Sequence, residues 1–188
     1  MKNHHLKIIL AIAIFALITT VAFLAANALQ ENSVLQEYVK STGILGVMVV
    51  GVLCGLNAFV PIPPATFAPL FIESGLSPLM VVGGFVIGTT IADSIGYLLG
   101  LLGQGYVNYH HPKVTDYLRG LSERHAGYIP FIIFGFFALA PLPNEIILIP
   151  LALIGYRYKK LLLPLILGNI IHQSIMVFGY ASLFSFLF

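Results

Sequence analysis

The chain has 188 residues, of which 59% are apolar and only 9% charged, and its mean hydropathy is +0.97. A soluble domain of this size could not hide so much apolar surface, so the composition describes an integral membrane protein of one domain, residues 1–188. A net charge of +2 without a basic-aromatic pattern excludes nucleic acid as a partner, and the lone Cys54 excludes an internal disulfide and a cysteine metal cluster.

Residues 8–28 form an uncharged run after Lys2 and Lys7, with the roughly twenty residues that span a bilayer. Ala26-Asn27-Ala28 resembles a signal-peptidase site, but the run is longer than a usual signal core, which favours an anchor helix over a cleaved leader. Gln30 to Thr42 reads as a polar linker. Ile44 to Phe59 and Ala65 to Ile72 are then apolar arms on either side of Pro61-Ile62-Pro63-Pro64. At about 1.5 Å per residue the arms reach roughly 24 Å and roughly 12 Å, short of a hydrocarbon core of about 30 Å. Pro-x-Pro forbids a continuous helix, so the arms are expected to form a re-entrant hairpin that enters and leaves on one face. Pro78 to Leu102 is long enough to cross, at roughly 37 Å if helical.

Residues 103–127 read as a polar loop. Within it, Val114, Tyr117, Leu118 and Leu121 keep helical spacing after Pro112, the pattern of an interfacial helix. Residues 128–187 then repeat the earlier plan. Ile129 to Ala140 is an arm, Pro141-Leu142-Pro143 the break, Glu145 to Ile154 the second arm and Leu161 to Leu187 a crossing helix. The repeat has a fixed offset of 80, which pairs Val60-Pro61-Ile62-Pro63-Pro64 with Ala140-Pro141-Leu142-Pro143-Asn144, Gly75 with Gly155, Gly88 with Gly168 and Ser94-Ile95 with Ser174-Ile175.

Each repeat, 44–102 and 128–187, crosses once, and an odd number of crossings turns its successor upside down. The expected fold is therefore an all-α integral membrane inverted repeat of re-entrant hairpin plus transmembrane helix, with an extra N-terminal helix. The basic residues suit a cytoplasmic N-terminus and an outside C-terminus in the inner or plasma membrane. Lys2, Lys7, Lys113, Arg119, Arg124, Arg157, Lys159 and Lys160 then fall inside, and only Lys40 outside.

Gly88-Thr89-Thr90-Ile91-Ala92-Asp93-Ser94-Ile95-Gly96-Tyr97-Leu98-Leu99-Gly100-Leu101-Leu102-Gly103 resembles the G-x4-D-x3-Y-x2-G-x2-G stretch of the DedA/VTT family (SNARE-associated Golgi protein type). The Pro-x-Pro breaks, Gly75, Gly155 and Gly168-Asn169 extend the resemblance over about residues 44–180. It implies two opposed re-entrant hairpins and movement of phospholipid or polyprenyl phosphate between leaflets, linked in some members to the proton gradient. The family's acidic residue in the first hairpin is Ala65 here, its arginines around the second break are Ala138 and Asn144, and the one after Tyr-x-x-Gly is Leu101.

Candidate site residues follow from the breaks. Each second arm starts just after a Pro-x-Pro, and a helix start offers free amides and partial positive charge. Pro61, Pro63, Pro64, Pro141 and Pro143 therefore frame an expected anion path between 61–66 and 141–146; the plainer reading is hairpin packing. Glu145 either caps its own arm or carries a proton, since acids within membranes are expensive and usually functional. Asp93 lies mid-helix and is expected to be protonated, paired or facing water, with a substrate-binding or proton-coupling role; the plainer reading is an interhelical hydrogen bond to Ser, Asn or Tyr. His172 and Gln173 match Ala92 and Asp93 in the repeat; His172 could titrate near neutral pH or pair with Asp93 or Glu145, while a lone helix His is more often a satisfied packing residue. Asn169 matches Thr89 and could bond the hairpin backbone. Asn144 and Tyr97 complete the substrate-binding or proton-coupling set.

His110, His111, Asp116 and His125 have poor metal spacing, so no metal and no cofactor is expected. Without a nucleophile elbow, Walker loop or zinc signature, no enzyme is expected either. The expected function is a flippase or scramblase-like transporter of phosphate-headed lipid, with a homo-oligomer left open. The alternatives are a proton-coupled exporter of small molecules and a non-transporting assembly factor that uses the basic cytoplasmic face.

Overall fold

The computed structural model describes residues 2–56, 62–140 and 142–188, and for residues 2–12, 15, 29 and 30 the backbone alone. Pro61 and Pro141 lie outside the described residues. The described chain is helical throughout: α1 (Lys2–Gln30), α2 (Ser33–Gly55), a 3-10 turn (Pro64–Phe67), α3 (Ala68–Glu73), α4 (Pro78–His110), α5 (Pro112–Arg124), α6 (Ile129–Leu139), α7 (Glu145–Leu153) and α8 (Tyr158–Leu187). Helices α2, α4 and α8 are long and apolar enough to cross a membrane.

Two stretches differ from the sequence reading. The expected linker over residues 30–42 is mostly helix. Asn32 caps α2 by accepting the Leu35 amide at 3.1 Å, and Gln, Glu, Lys and Leu then favour helix although little of this turn is buried. The break falls at Gly43, at φ 54° and ψ −149°, which only glycine adopts cheaply. The expected polar loop from residue 103 instead begins as the last turns of α4. Gly103 and Gly105 do not end that helix; Pro112 does, by starting α5 just beyond the His111 cap. The interfacial helix appears as α5.

The offset of 80 reappears in the hydrogen bonding. At the end of α3, Gly75 N donates to Ile72 O (2.8 Å) and Leu76 N to Phe71 O (3.1 Å); at the end of α7, Gly155 N donates to Ala152 O and Tyr156 N to Leu151 O (both 2.9 Å). Both glycines have positive φ, 95° and 78°, as this helix-ending motif requires. Gly88 and Gly168 also match. A Cβ on Gly88 would stand 2.8 Å from Gly51 Cα of α2, and one on Gly168 would stand 3.1 Å from the Phe134 carbonyl of α6. Each long helix therefore rests closely on the first arm of its own half. Each also meets the second arm of the other half, α4 against α7 and α8 against α3.

Two apolar clusters bracket the middle. One joins Val81, Val82, Phe85 and Val86 of α4 to Phe71, Val47 and, from α8, Val177. The other joins Tyr97 of α4 to Ile133, Phe137, Leu148 and, from α8, Leu161 and Leu165. Passing from the first cluster to the second ascends the numbering on α4 and descends it on α8, so the two helices run in opposite directions. Thr89, Thr90, Asp93 and Ser94 of α4 and Asn169, His172, Gln173 and Ser174 of α8 lie between the clusters.

Candidate substrate cavity

Near their middles the apolar runs of α4 and α8 are interrupted, at Thr89-Thr90 to Asp93-Ser94 and at Asn169 to Ser174. Because the interruptions sit at equal distances from the paired glycines, the helix crossing brings them to one level. Asp93 is 2% exposed, and both of its oxygens accept amide N–H groups: Asn144 Nδ2 to Oδ1 and Asn169 Nδ2 to Oδ2, each at 2.9 Å. Asn169, also 2% exposed, reaches Thr90 Oγ1 at 3.4 Å. A carboxyl inside an apolar fold is tolerable only with its lone pairs occupied, and here the start of α7 and the facing helix α8 supply the two partners.

Beside this cluster lies a half-open cavity of about 360 Å³. Pro63 and Pro64 line it from the first break, and Pro143, Asn144 and Glu145 from the second; Asp93 borders it from α4, and Asn169, His172 and Gln173 from α8. All the expected site residues with described side chains border it except Tyr97. Tyr97 packs in the second apolar cluster and donates to the Tyr156 carbonyl at 2.6 Å, one side of the cavity away. Ser94 and Tyr158 share a second hydrogen bond at that level. Since Ser94 gives its proton to the Thr90 carbonyl, Tyr158 is the donor to it.

Three roles that the sequence allowed are not taken up among the described residues. Glu145 does not cap α7. The Ile146 and Ile147 amides bond the Pro143 and Asn144 carbonyls instead, and the Glu145 carboxyl makes no hydrogen bond among the described residues. A turn that closes on its own carbonyls leaves the side chain free to lie over Gly96, where a Cβ would stand 3.3 Å from Glu145 Cγ. Asn169 bonds Asp93 and Thr90 rather than hairpin backbone, because it faces α4. His172 lines the cavity and pairs with neither carboxyl among the described residues. Thr89, Phe137, Met176 and Tyr180 also line the cavity and were not singled out from sequence. For Thr89 the signal was available, since it matches Asn169 in the repeat.

Among the described residues the lining has two carboxyl groups and one imidazole, and no Lys or Arg. It can hold a polar group by hydrogen bonding and by carboxyl charge, with apolar walls for an attached chain.

Fold and site together define a class: a helical membrane protein with a largely apolar cavity, carrying a few polar groups, between two breaks in its helices. No protein-family model, no curated protein and no solved structure matches the chain. The resemblance to the DedA/VTT family rests on the residues quoted above.

Proposed function

We propose that this protein moves phospholipid or polyprenyl-phosphate lipid between the leaflets of a cell membrane, as a flippase or scramblase does, and is not an enzyme. The single observation behind this reading is the convergence of both breaks and the buried Asp93 on one half-open cavity between α4 and α8. A cavity bordered by helix breaks from two repeated halves is the usual substrate site of transporters built by duplication. The headgroup crosses in that cavity while the chains stay against apolar wall.

The repeats are read as inverted re-entrant hairpins. Helices α6 and α7, with 11 and 9 residues, reach only roughly 16 Å and 14 Å, and α3 less, against about 30 Å of hydrocarbon. The opposed directions of α4 and α8 and the exchange of second arms between halves favour a two-fold axis in the membrane plane. On this reading the N-terminus is cytoplasmic and the C-terminus outside. Asp93, Glu145 and His172 are the titratable groups on the cavity and the candidates for coupling to protons.

The test is reconstitution into vesicles carrying a fluorescent phospholipid in both leaflets, with dithionite bleaching of the outer one. Bleaching beyond the outer-leaflet fraction is expected with the protein and not with an Asp93→Leu variant of equal insertion. Bleaching that stops at the outer leaflet for every phosphate-headed lipid would sink the proposal.

A further inference from the structure

At the outer edge of the second half, charge and apolar surface lie side by side. Between α5 and the turn that joins α7 to α8 is an open pocket of about 320 Å³. Arg119 of α5 lines it together with Arg157 and Lys160 at the start of α8, and Glu123 is the one carboxylate among its described residues. The three basic side chains are exposed, and none makes a hydrogen bond or ion pair among the described residues. Arg157 is also the N-cap of α8 and bears no side-chain cap, so the positive end of a 30-residue helix adds to the same charge. Like charges gathered this way repel one another, and a bound anion removes that cost. The fold does not require the arrangement: the matching turn of the first half, at Gly75, is bordered by Glu37, Lys40 and Glu73.

A second depression adjoins the first. An apolar groove of about 400 Å³ runs between Leu118 and Leu121 of α5, Ile129 and Ile132 of α6 and Pro150 of α7. Ser122 and Ile154 line both depressions, so the basic pocket and the apolar wall meet along one edge. An inorganic ion would occupy the pocket and leave the groove bare. A molecule with an anionic head and a hydrocarbon chain fills both, and its chain covers Leu121 and Ile132, which are 46% and 58% exposed. Guanidinium forks match phosphate oxygens in pairs and an ammonium adds further donors, so phosphate is the head that two arginines and a lysine suit best.

We propose that this pocket and groove form a binding site for an anionic phosphate-headed lipid, with Arg119, Arg157 and Lys160 on the phosphate and Leu118, Leu121 and Ile132 along a chain. The site shares no lining residue with the central cavity and does not depend on that cavity moving lipid.

The test is native mass spectrometry of the full-length protein in a neutral detergent, titrated with dioleoyl phosphatidic acid. A saturable adduct is expected, retained in Asp93→Leu and displaced by neither dioleoyl phosphatidylcholine nor inorganic phosphate. Arg119→Gln and Arg157→Gln should each weaken it by about tenfold or more, the size of one hydrogen bond to a charged group, and Lys160→Gln should weaken it too. Leu121→Ser and Ile132→Ser, at exposed positions, should weaken it from the groove side. Lys113→Gln and Lys159→Gln remove the same charge outside the pocket and should leave it at the wild-type value. If one basic variant fails to insert, the other two positions carry the test. Equal weakening by Lys113→Gln and Lys159→Gln would reduce the effect to general surface charge and overturn the inference. So would displacement by inorganic phosphate with both groove variants unaffected, which would assign a free ion, and so would the lack of a saturable adduct. An adduct lost in Asp93→Leu and kept in both arginine variants would put the lipid in the central cavity and overturn it as well. An adduct that persists while no lipid crosses vesicles would refute the transport reading and leave this site standing.

Discussion

Asn169 of α8 donates to Asp93 of α4 at 2.9 Å, and this bond ties the two long helices at the level where both are least apolar. With the Asn144 bond it occupies both carboxyl oxygens. Replacing Asn169 by Leu keeps the volume and leaves Oδ2 unpaired, which should cost about 1–3 kcal/mol. Asp93→Asn should cost a similar amount, because it turns one acceptor into a donor that faces another amide. Thermal unfolding in detergent reads both, and unchanged midpoints would show the network to be energetically idle.

Tyr97 separates a packing role from a site role. Its hydroxyl serves the Tyr156 carbonyl and it does not border the cavity. Tyr97→Phe should lower stability by about 0.5–1.5 kcal/mol. On the proposed transport reading, any lipid movement and its headgroup preference should be the same in this variant as in wild type; a changed preference would place Tyr97 in the site after all.

Gly88→Ala should force α2 and α4 apart, since the new methyl would meet the backbones of Met48 and Gly51. A loss of about 1–3 kcal/mol is expected from such overpacking. Gly83 on the same helix has open space where a Cβ would stand, so Gly83→Ala should be neutral or stabilising by up to about 1 kcal/mol. Detergent unfolding midpoints of the pair compare crossing with mere helix propensity.

If protons drive transport, the coupling runs through the carboxyl groups on the cavity. Glu145→Gln removes the one that no hydrogen bond holds in place. Its rate should become insensitive to an imposed pH gradient while movement without a gradient continues. Asp93→Asn should lose the same sensitivity together with stability, and His172→Gln serves as the third arm. Wild-type gradient dependence in all three would exclude coupling through these groups.

Much of the cavity's membership was legible in the chain. An apolar helix rarely carries an unpaired polar group, so Asp93, Glu145, His172 and Asn169 stood out by their surroundings. The offset of 80 marked Gly75 with Gly155 and Gly88 with Gly168, and their backbone and packing environments match. Less legible were the helical turn at Ser33–Thr42, whose start rests on one Asn cap, and the roles of Glu145 and Asn169, which depend on neighbours distant in sequence.

The sequence by itself determined a helical chain able to cross a membrane, the places where its helices cannot continue, and the few polar residues they carry. These follow from local rules: proline lacks a donor, glycine admits positive φ, and apolar runs of sufficient length suit a bilayer. Only the tertiary structure decided that Asp93 is held by amides 51 and 76 residues away. A hydrogen bond depends on atoms about 3 Å apart. Which residues meet at that distance is set by how α4, α7 and α8 cross, which no periodicity along the chain contains.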